Sequence, residues 1–102
     1  MRGIVYGKTL DIAAQQLCKI IKDYKTYYDI GIKEIVPNTT TIVLANGDIW
    51  TCHEYNSSNT CGWRCNVVYI DGSIESEEAK LNMELTATAP PFQAIRYYYG
   101  QE

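Results

Sequence analysis

Two periods of apolar residues organise this chain. From Leu10 the apolar side chains fall at positions 10, 13, 14, 17, 20, 21, 24 and 28, while Gln15, Gln16, Lys19, Lys22, Asp23 and Lys25 occupy the opposite face. That spacing predicts an amphipathic helix of about four to five turns. Thr9 or Asp11 can cap its start, and Gly31 is a suitable stop. Elsewhere the apolar residues come in short runs or alternate, as strands require. Residues 3–8 read as a short strand, Ile32 to Val36 as extended chain, Pro37-Asn38 as a turn and Thr39 to Ala45 as a β-branched strand. Asn46-Gly47 is the strongest hairpin signal. On the return strand, Asp48 to Tyr55, residues Ile49, Thr51, His53 and Tyr55 share one face and Trp50, Cys52 and Glu54 the other. Asn56 to Gly62 is polar loop. Asn66 to Asp71 is an unbroken apolar strand of central, doubly covered type. A second helix can start at Ser73 or Ser76 and run through Leu85, Pro90-Pro91 ends what precedes it, and Phe92 to Tyr99 is a last strand. The fold class predicted is α+β, with a small antiparallel or mixed sheet, the N-terminal amphipathic helix and a second, shorter one.

With 102 residues, 46% of them hydrophobic, the chain reads as a single domain over residues 1–102 with one modest core. No apolar run approaches the ~20 residues that span a bilayer, and residues 1–8 lack the apolar core of a signal peptide. A cytosolic location is therefore expected. A net charge of −3 argues against a nucleic-acid polymer as partner. Beyond Glu34 the basic residues are Arg64, Lys80 and Arg96, with His53 as an optional fourth, so the anchors for any anion are few.

Two segments suggest nucleotide hydrolysis. Val67-Val68-Tyr69-Ile70-Asp71 has the pattern of a buried strand whose terminal carboxylate holds Mg²⁺ in a P-loop NTPase. Gly3-Ile-Val-Tyr-Gly7-Lys8-Thr9 approaches G-x-x-x-x-G-K-[ST]. Both depart from the pattern. Gly72 stands where a second acid is usual. The candidate phosphate loop is one residue short, its interior favours extended strand over a ring of N–H donors, and no strand precedes it. Asp71 accordingly reads as the end of a buried strand at an Asp-Gly turn. His53 is the sole histidine, and Cys52 beside it points to the other face of a strand. Together with Cys61-x-x-x-Cys65 they do not match common zinc spacings. No catalytic residue, metal or cofactor is expected.

The remaining chemistry is suited to binding. The chain has nine Tyr, two Trp and one Phe. Arg64 follows Trp63 just before the apolar strand, and Asn66 lies two residues further on. Along the last strand Phe92, Ala94, Arg96 and Tyr98 share one face. Arg grips phosphate through two hydrogen bonds and aromatic rings stack on bases. Arg64, Asn66, Phe92 and Arg96, with Trp63 and Tyr98 as stacking partners, are the candidate ligand-binding residues. The alternative reading is a solvated loop arginine, a packed tryptophan and an edge strand.

The region from Thr39 to Ile74, with its Asn-Gly hairpin, Gly-x-Arg loop and strand ending in Asp, loosely resembles the middle of a phage terminase ATPase. A second resemblance spans nearly the whole chain. Arg-Gly-Ile-Val-Tyr-Gly-Lys-Thr, the amphipathic helix, Ala-Asn-Gly-Asp-Ile-Trp, Gly-Trp-Arg-Cys-Asn-Val-Val-Tyr-Ile-Asp and Pro-Pro-Phe-Gln-Ala-Ile-Arg-Tyr-Tyr together are similar to the first-described family of phage anti-Thoeris proteins. That resemblance implies a homo-oligomeric sponge that captures nucleotide-derived immune signals in the host cytoplasm, cyclic ADP-ribose isomers or cyclic oligonucleotides, without turnover and without metal. The alternatives are an anti-CRISPR-like inhibitor that binds a host protein through its tyrosine-rich surface, and a degenerate terminase-like nucleotide-binding domain.

Overall fold

The computed structural model describes residues 1–55, 65–77 and 95–100. Their framework is one mixed six-stranded sheet with one long helix on one face. The strands are β1 (Arg2–Gly7), β2 (Ile32–Val36), β3 (Thr41–Leu44), β4 (Ile49–Glu54), β5 (Val67–Asp71) and β6 (Ile95–Tyr99), and the helix is α1 (Leu10–Tyr28). The sheet order is β2-β3-β4-β1-β5-β6. β1 runs parallel to both β4 and β5, and β5 is parallel to β6. β2, β3 and β4 form an antiparallel meander at one side. The expected α+β class with a mixed sheet is observed. The second helix predicted from Ser73 or Ser76 through Leu85 falls largely outside the described residues, as do Pro90-Pro91 and the loop from Asn56.

The first strand is the centre of the molecule. Ile4, Val5 and Tyr6 are buried, as an apolar run covered on both faces should be. Val5 joins Ala13, Leu17 and Ile20 of α1 and Leu44, Trp50, Cys52 and Val67 of the sheet in one core cluster. Ile4 and Tyr6 join Cys65, Val68, Ile70 and Ile74 on the other face. Gly3 makes the first cluster possible, because a Cβ there would lie 2.5 Å from the Trp50 ring. The face assignment on β4 follows the expected alternation. Trp50 and Cys52 pack under α1, whereas the His53 ring lies 6.2 Å from that of Tyr6 on the opposite side.

α1 begins where expected, with the Thr9 hydroxyl accepting from Ile12 N–H at 3.3 Å. It ends earlier than Gly31. The left-handed cap residue is Asp29, φ 53°, whose N–H reaches the carbonyls of the last turn. Asp tolerates this conformation better than most residues, and its carboxylate takes a 2.7 Å hydrogen bond from Lys25 one turn back. The Asn46-Gly47 signal is a true hairpin connection, with Gly47 at φ 92° and Asn46 Oδ1 accepting from Asp48 N–H at 3.0 Å. A short 3-10 turn over Pro37–Thr39 and a left-handed Thr40, φ 48°, delay β3 to Thr41.

Candidate functional site

The carboxyl ends of the parallel strands place Gly7-Lys8-Thr9, Asp71-Gly72-Ser73 and Tyr99-Gly100 side by side. Ile4-Val5-Tyr6 keeps β1 extended up to Gly7, so the strand fills the positions where a phosphate loop would bulge. The turn into α1 is correspondingly tight. A Cβ on Gly7 would lie 2.6 Å from both the Thr9 carbonyl oxygen and the Ala13 nitrogen. Strand and helix therefore meet without a ring of N–H donors large enough to encircle a phosphate.

Asp71 lies beneath this turn and is 1% exposed. Its Oδ2 accepts from Lys8 N–H at 2.9 Å. Its Oδ1 accepts from Ser73 N–H at 2.9 Å and from the Ser73 hydroxyl at 2.8 Å. Burial works against its charge, but the Lys8 and Ser73 N–H donors, the Ser73 hydroxyl and the Lys8 charge outweigh it and hold the carboxyl below its ordinary value. Neighbouring bonds close the edge further. Gly72 N–H donates to the Tyr99 carbonyl at 2.7 Å, and Tyr55 N–H to the Gly7 carbonyl at 2.9 Å. The Tyr99 hydroxyl donates to the Tyr6 carbonyl at 2.6 Å. Burial first, and then Asp71 nearby, push the Tyr99 phenol well above its usual value, so it is a fixed donor. Exposed groups at this edge include Lys8, Thr9 and Ser73, together with Glu54 at the carboxyl end of β4, paired with Gly7.

The two nucleotide-like segments of the sequence thus meet in space, 63 residues apart. Sequence reasoning treated them separately and found neither sufficient. Their contact depends on β1 pairing in parallel with β5, and the apolar runs themselves carry no sign of which strand pairs with which. The expectation of an Asp-Gly turn at Asp71 agrees with its place.

The candidate binding residues are distributed differently. Asn66 lies at the opposite edge. Its Oδ1 accepts from Arg2 N–H at 2.9 Å, its N–H donates to the Arg2 carbonyl at 2.8 Å, and its carbonyl accepts from Ile95 N–H at 2.9 Å. It therefore ties together the starts of β1, β5 and β6. Arg96 sits beside Val68 and Tyr98 beside Ile70 along β5. Tyr98 is thus four rungs from the Asn66 end, about 13 Å at strand rise. Asn66 and Tyr98 are not brought together. Trp63, Arg64 and Phe92 lie outside the described residues, and Arg96 is placed by its backbone alone. Among the described residues no group of three His, Cys, Asp or Glu could hold a metal, and no helix is long and apolar enough to cross a membrane.

No protein-family model and no curated protein matches the chain. Solved structures do. The chain is similar to the large terminase of a thermophilic bacteriophage, with a TM-score of 0.71 at 8% identity over 95% of this chain and 25% of that one. A second structure of the same terminase, in complex with ADP, gives a TM-score of 0.69 at 11% identity over the same shares. The chain spans about a quarter of the length of these terminases. At such identity the likeness establishes the fold, a terminase-like mixed sheet. It agrees with the looser of the two resemblances read from the sequence.

Proposed function

We propose that this chain is a non-hydrolysing nucleotide-binding domain of terminase-like fold, which captures a phosphate-bearing ligand at the carboxyl ends of β1, β5 and β6. The observation that carries the capture is the switch-point topology, which sets exposed Lys8, Thr9 and Ser73 at the carboxyl ends of β1 and β5; the closure of Asp71 by Lys8 and Ser73 argues against turnover. A carboxylate that already accepts three hydrogen bonds within the protein is poorly placed to organise Mg²⁺ and water for phosphoryl transfer. The topology supports a ligand at this edge. From β1 the chain leaves through α1 to the β2 side of the sheet, and after β4 it crosses to β5 on the other side of β1. Open sheets with parallel strands bind ligands at such a switch point, outside the carboxyl ends of the strands. Lys8 and the positive end of the α1 dipole lie at that edge and favour an anion, although Asp11 in the first turn and the exposed Glu54 beside Gly7 work against a highly charged one.

The structure of the terminase with ADP supports an adenosine pyrophosphate as the ligand class. The narrower form of the proposal is sequestration of cyclic ADP-ribose-type signals by a homo-oligomer, with Tyr98, beside Ile70 near the carboxyl end of β5, as the stacking residue; Arg64, Arg96, Trp63 and Phe92 remain candidates from the sequence alone. Calorimetric titration with ADP, ATP and cyclic ADP-ribose, followed by chromatography of the recovered ligand, tests it. Heat with at least one of them, weakened in Lys8→Ala, and recovery of intact ligand are expected. Absence of heat with all three, or conversion to product, would sink the reading. Exposed Ile32 and Ile35 on the edge strand β2 and exposed Tyr27 and Tyr28 at the end of α1 favour a second reading, a protein-binding inhibitor. Stoichiometric capture of a host protein by a chain that binds no nucleotide would select it.

A further inference from the structure

The α1 side of the sheet holds a cleft that the proposed nucleotide edge does not use. It has a volume of about 290 Å³ and lies between the second half of α1 and the sheet, lined by Tyr24, Tyr28, Trp50, Tyr69, Tyr97 and Asp23. We propose that it is an aromatic cage for an organic cation of the alkylated-ammonium class.

Three properties of the walls support this. The rings differ in orientation and pack against one another along one wall of the cleft. Tyr69 stacks on Tyr97 at 4.9 Å and 28°, Trp50 meets Tyr69 at 5.8 Å and 57°, and Tyr24 stands edge-on to Trp50 at 6.3 Å and 73°. Rings set at different angles around one cleft can offer a cation their faces and hydroxyl oxygens, whereas a flat aromatic base would need two parallel walls held apart, which these touching rings do not provide. The cage is also held in place before any ligand arrives. Trp50 Nε1 donates to the Tyr24 hydroxyl at 3.2 Å, and that hydroxyl donates to Asp48 Oδ2 at 3.0 Å. Trp50, 2% exposed, forms the floor.

The charges agree in sign. Met1 also lines the cleft, but its ammonium pairs with Asp48 at 3.2 Å, so those two offset each other and Asp23 is the other charged group among the lining residues. The last turn of α1, ending at Tyr28, brings the negative end of its dipole to the same rim. Burial raises the Tyr24 and Tyr69 phenols above their usual value, which keeps the rings neutral and available at physiological pH. A phosphate-bearing ligand would meet Asp23 and the helix carboxyl end, so this cleft and the Lys8 edge select opposite charges.

The test compares choline with 3,3-dimethylbutan-1-ol, its uncharged isostere, by NMR titration of the Trp50 indole and Tyr97 ring resonances. A trimethyl-lysine peptide forms a further arm that separates a free small molecule from a side chain. Saturable shifts with choline or the peptide, at least about five-fold tighter than with the isostere, are expected from cation–π attraction in a partly desolvated site. Tyr97→Ala and Asp23→Asn change exposed positions, so the fold survives, and each should weaken binding several-fold. Equal binding of the isostere, no shift with either cation, or unchanged affinity in both variants overturns the proposal.

Discussion

The two ends of the sheet are built from similar materials and arrive at opposite states. At the carboxyl end, Asp71 sits under a tight turn with Lys8 N–H and both Ser73 donors on its oxygens. At the amino end, Asp48 is likewise held, by the Met1 ammonium, the Asn46 side chain and the Tyr24 hydroxyl. In both cases burial opposes the charge and the donors win, so both carboxyls lie below their ordinary value. Around Asp71 the backbone closes in, and the exposed polar groups among the described residues flank it, on the turn above and at Ser73 and Glu54. Around Asp48 the aromatic side chains pack against one another and line a cleft beside them. Satisfying a carboxylate therefore does not decide whether an edge is open. The way the neighbours pack does, with backbone and a short turn closed on Asp71 at one end and side chains from α1, β4, β5 and β6 lining a cleft at the other.

The largest effect expected from a single change is at Asp71. Asp71→Ala leaves the Lys8 and Ser73 N–H groups without their acceptor and should cost about 3 kcal/mol in urea unfolding. Asp71→Asn, which keeps an acceptor, should cost less. A loss below about 1 kcal/mol for the alanine variant would mean that the carboxylate is not structural, and the contrast between the edges would fail. Gly3→Ala comes next. Its Cβ would lie 2.5 Å from the Trp50 ring, so the ring or the β1 backbone must shift, at about 2 kcal/mol for overpacking. The indole resonance of Trp50 should move while that of Lys8 N–H stays. Asn66→Ala removes one side-chain hydrogen bond to Arg2 and should cost about 1 kcal/mol. If Asn66 is instead a ligand contact, the variant will lose affinity with little loss of stability.

The smallest effect is on pH dependence. Burial holds the His53 imidazole below its usual 6.5. As pH falls below that value the unfolded chain takes up a proton before the folded one, so stability declines with falling pH. Urea midpoints between pH 7 and 5 should show this decline, flattened in His53→Gln. A further decline should begin below the ordinary carboxylate value, as Asp71 and Asp48 come under pressure to protonate.

Much of this architecture is visible in the pattern of residues, and the reason is local. α1 follows from a 3.6-residue period, the Asn46-Gly47 connection from a positive φ at Gly47, and the faces of β4 from alternation. The misplaced end of α1 is also local. Asp29 reaches the left-handed conformation with help from Lys25, two residues before the glycine that seemed the natural stop. What the pattern does not carry is pairing. Ile4 to Tyr6 and Val67 to Ile70 are both apolar runs, and neither states that they lie side by side, that they are parallel, or that Lys8 and Asp71 meet as a result. The aromatic cleft is illegible for the same reason, since Tyr24, Trp50, Tyr69 and Tyr97 come from four elements. The candidate Asn66 was correctly placed at a strand entrance, but its side-chain acceptor is taken by Arg2, a partner 64 residues away.

Capture without turnover at the carboxyl ends of the strands is tested most directly by amide NMR during titration with ADP, with ATP and Mg²⁺ followed in parallel for phosphate release. Shifts confined to Gly7 through Leu10, Gly72-Ser73 and Tyr99-Gly100 are expected, with quiet signals at Arg2 and Asn66 and no phosphate release. Steady release of phosphate that disappears in Asp71→Asn, or shifts centred on the opposite edge, would overturn it.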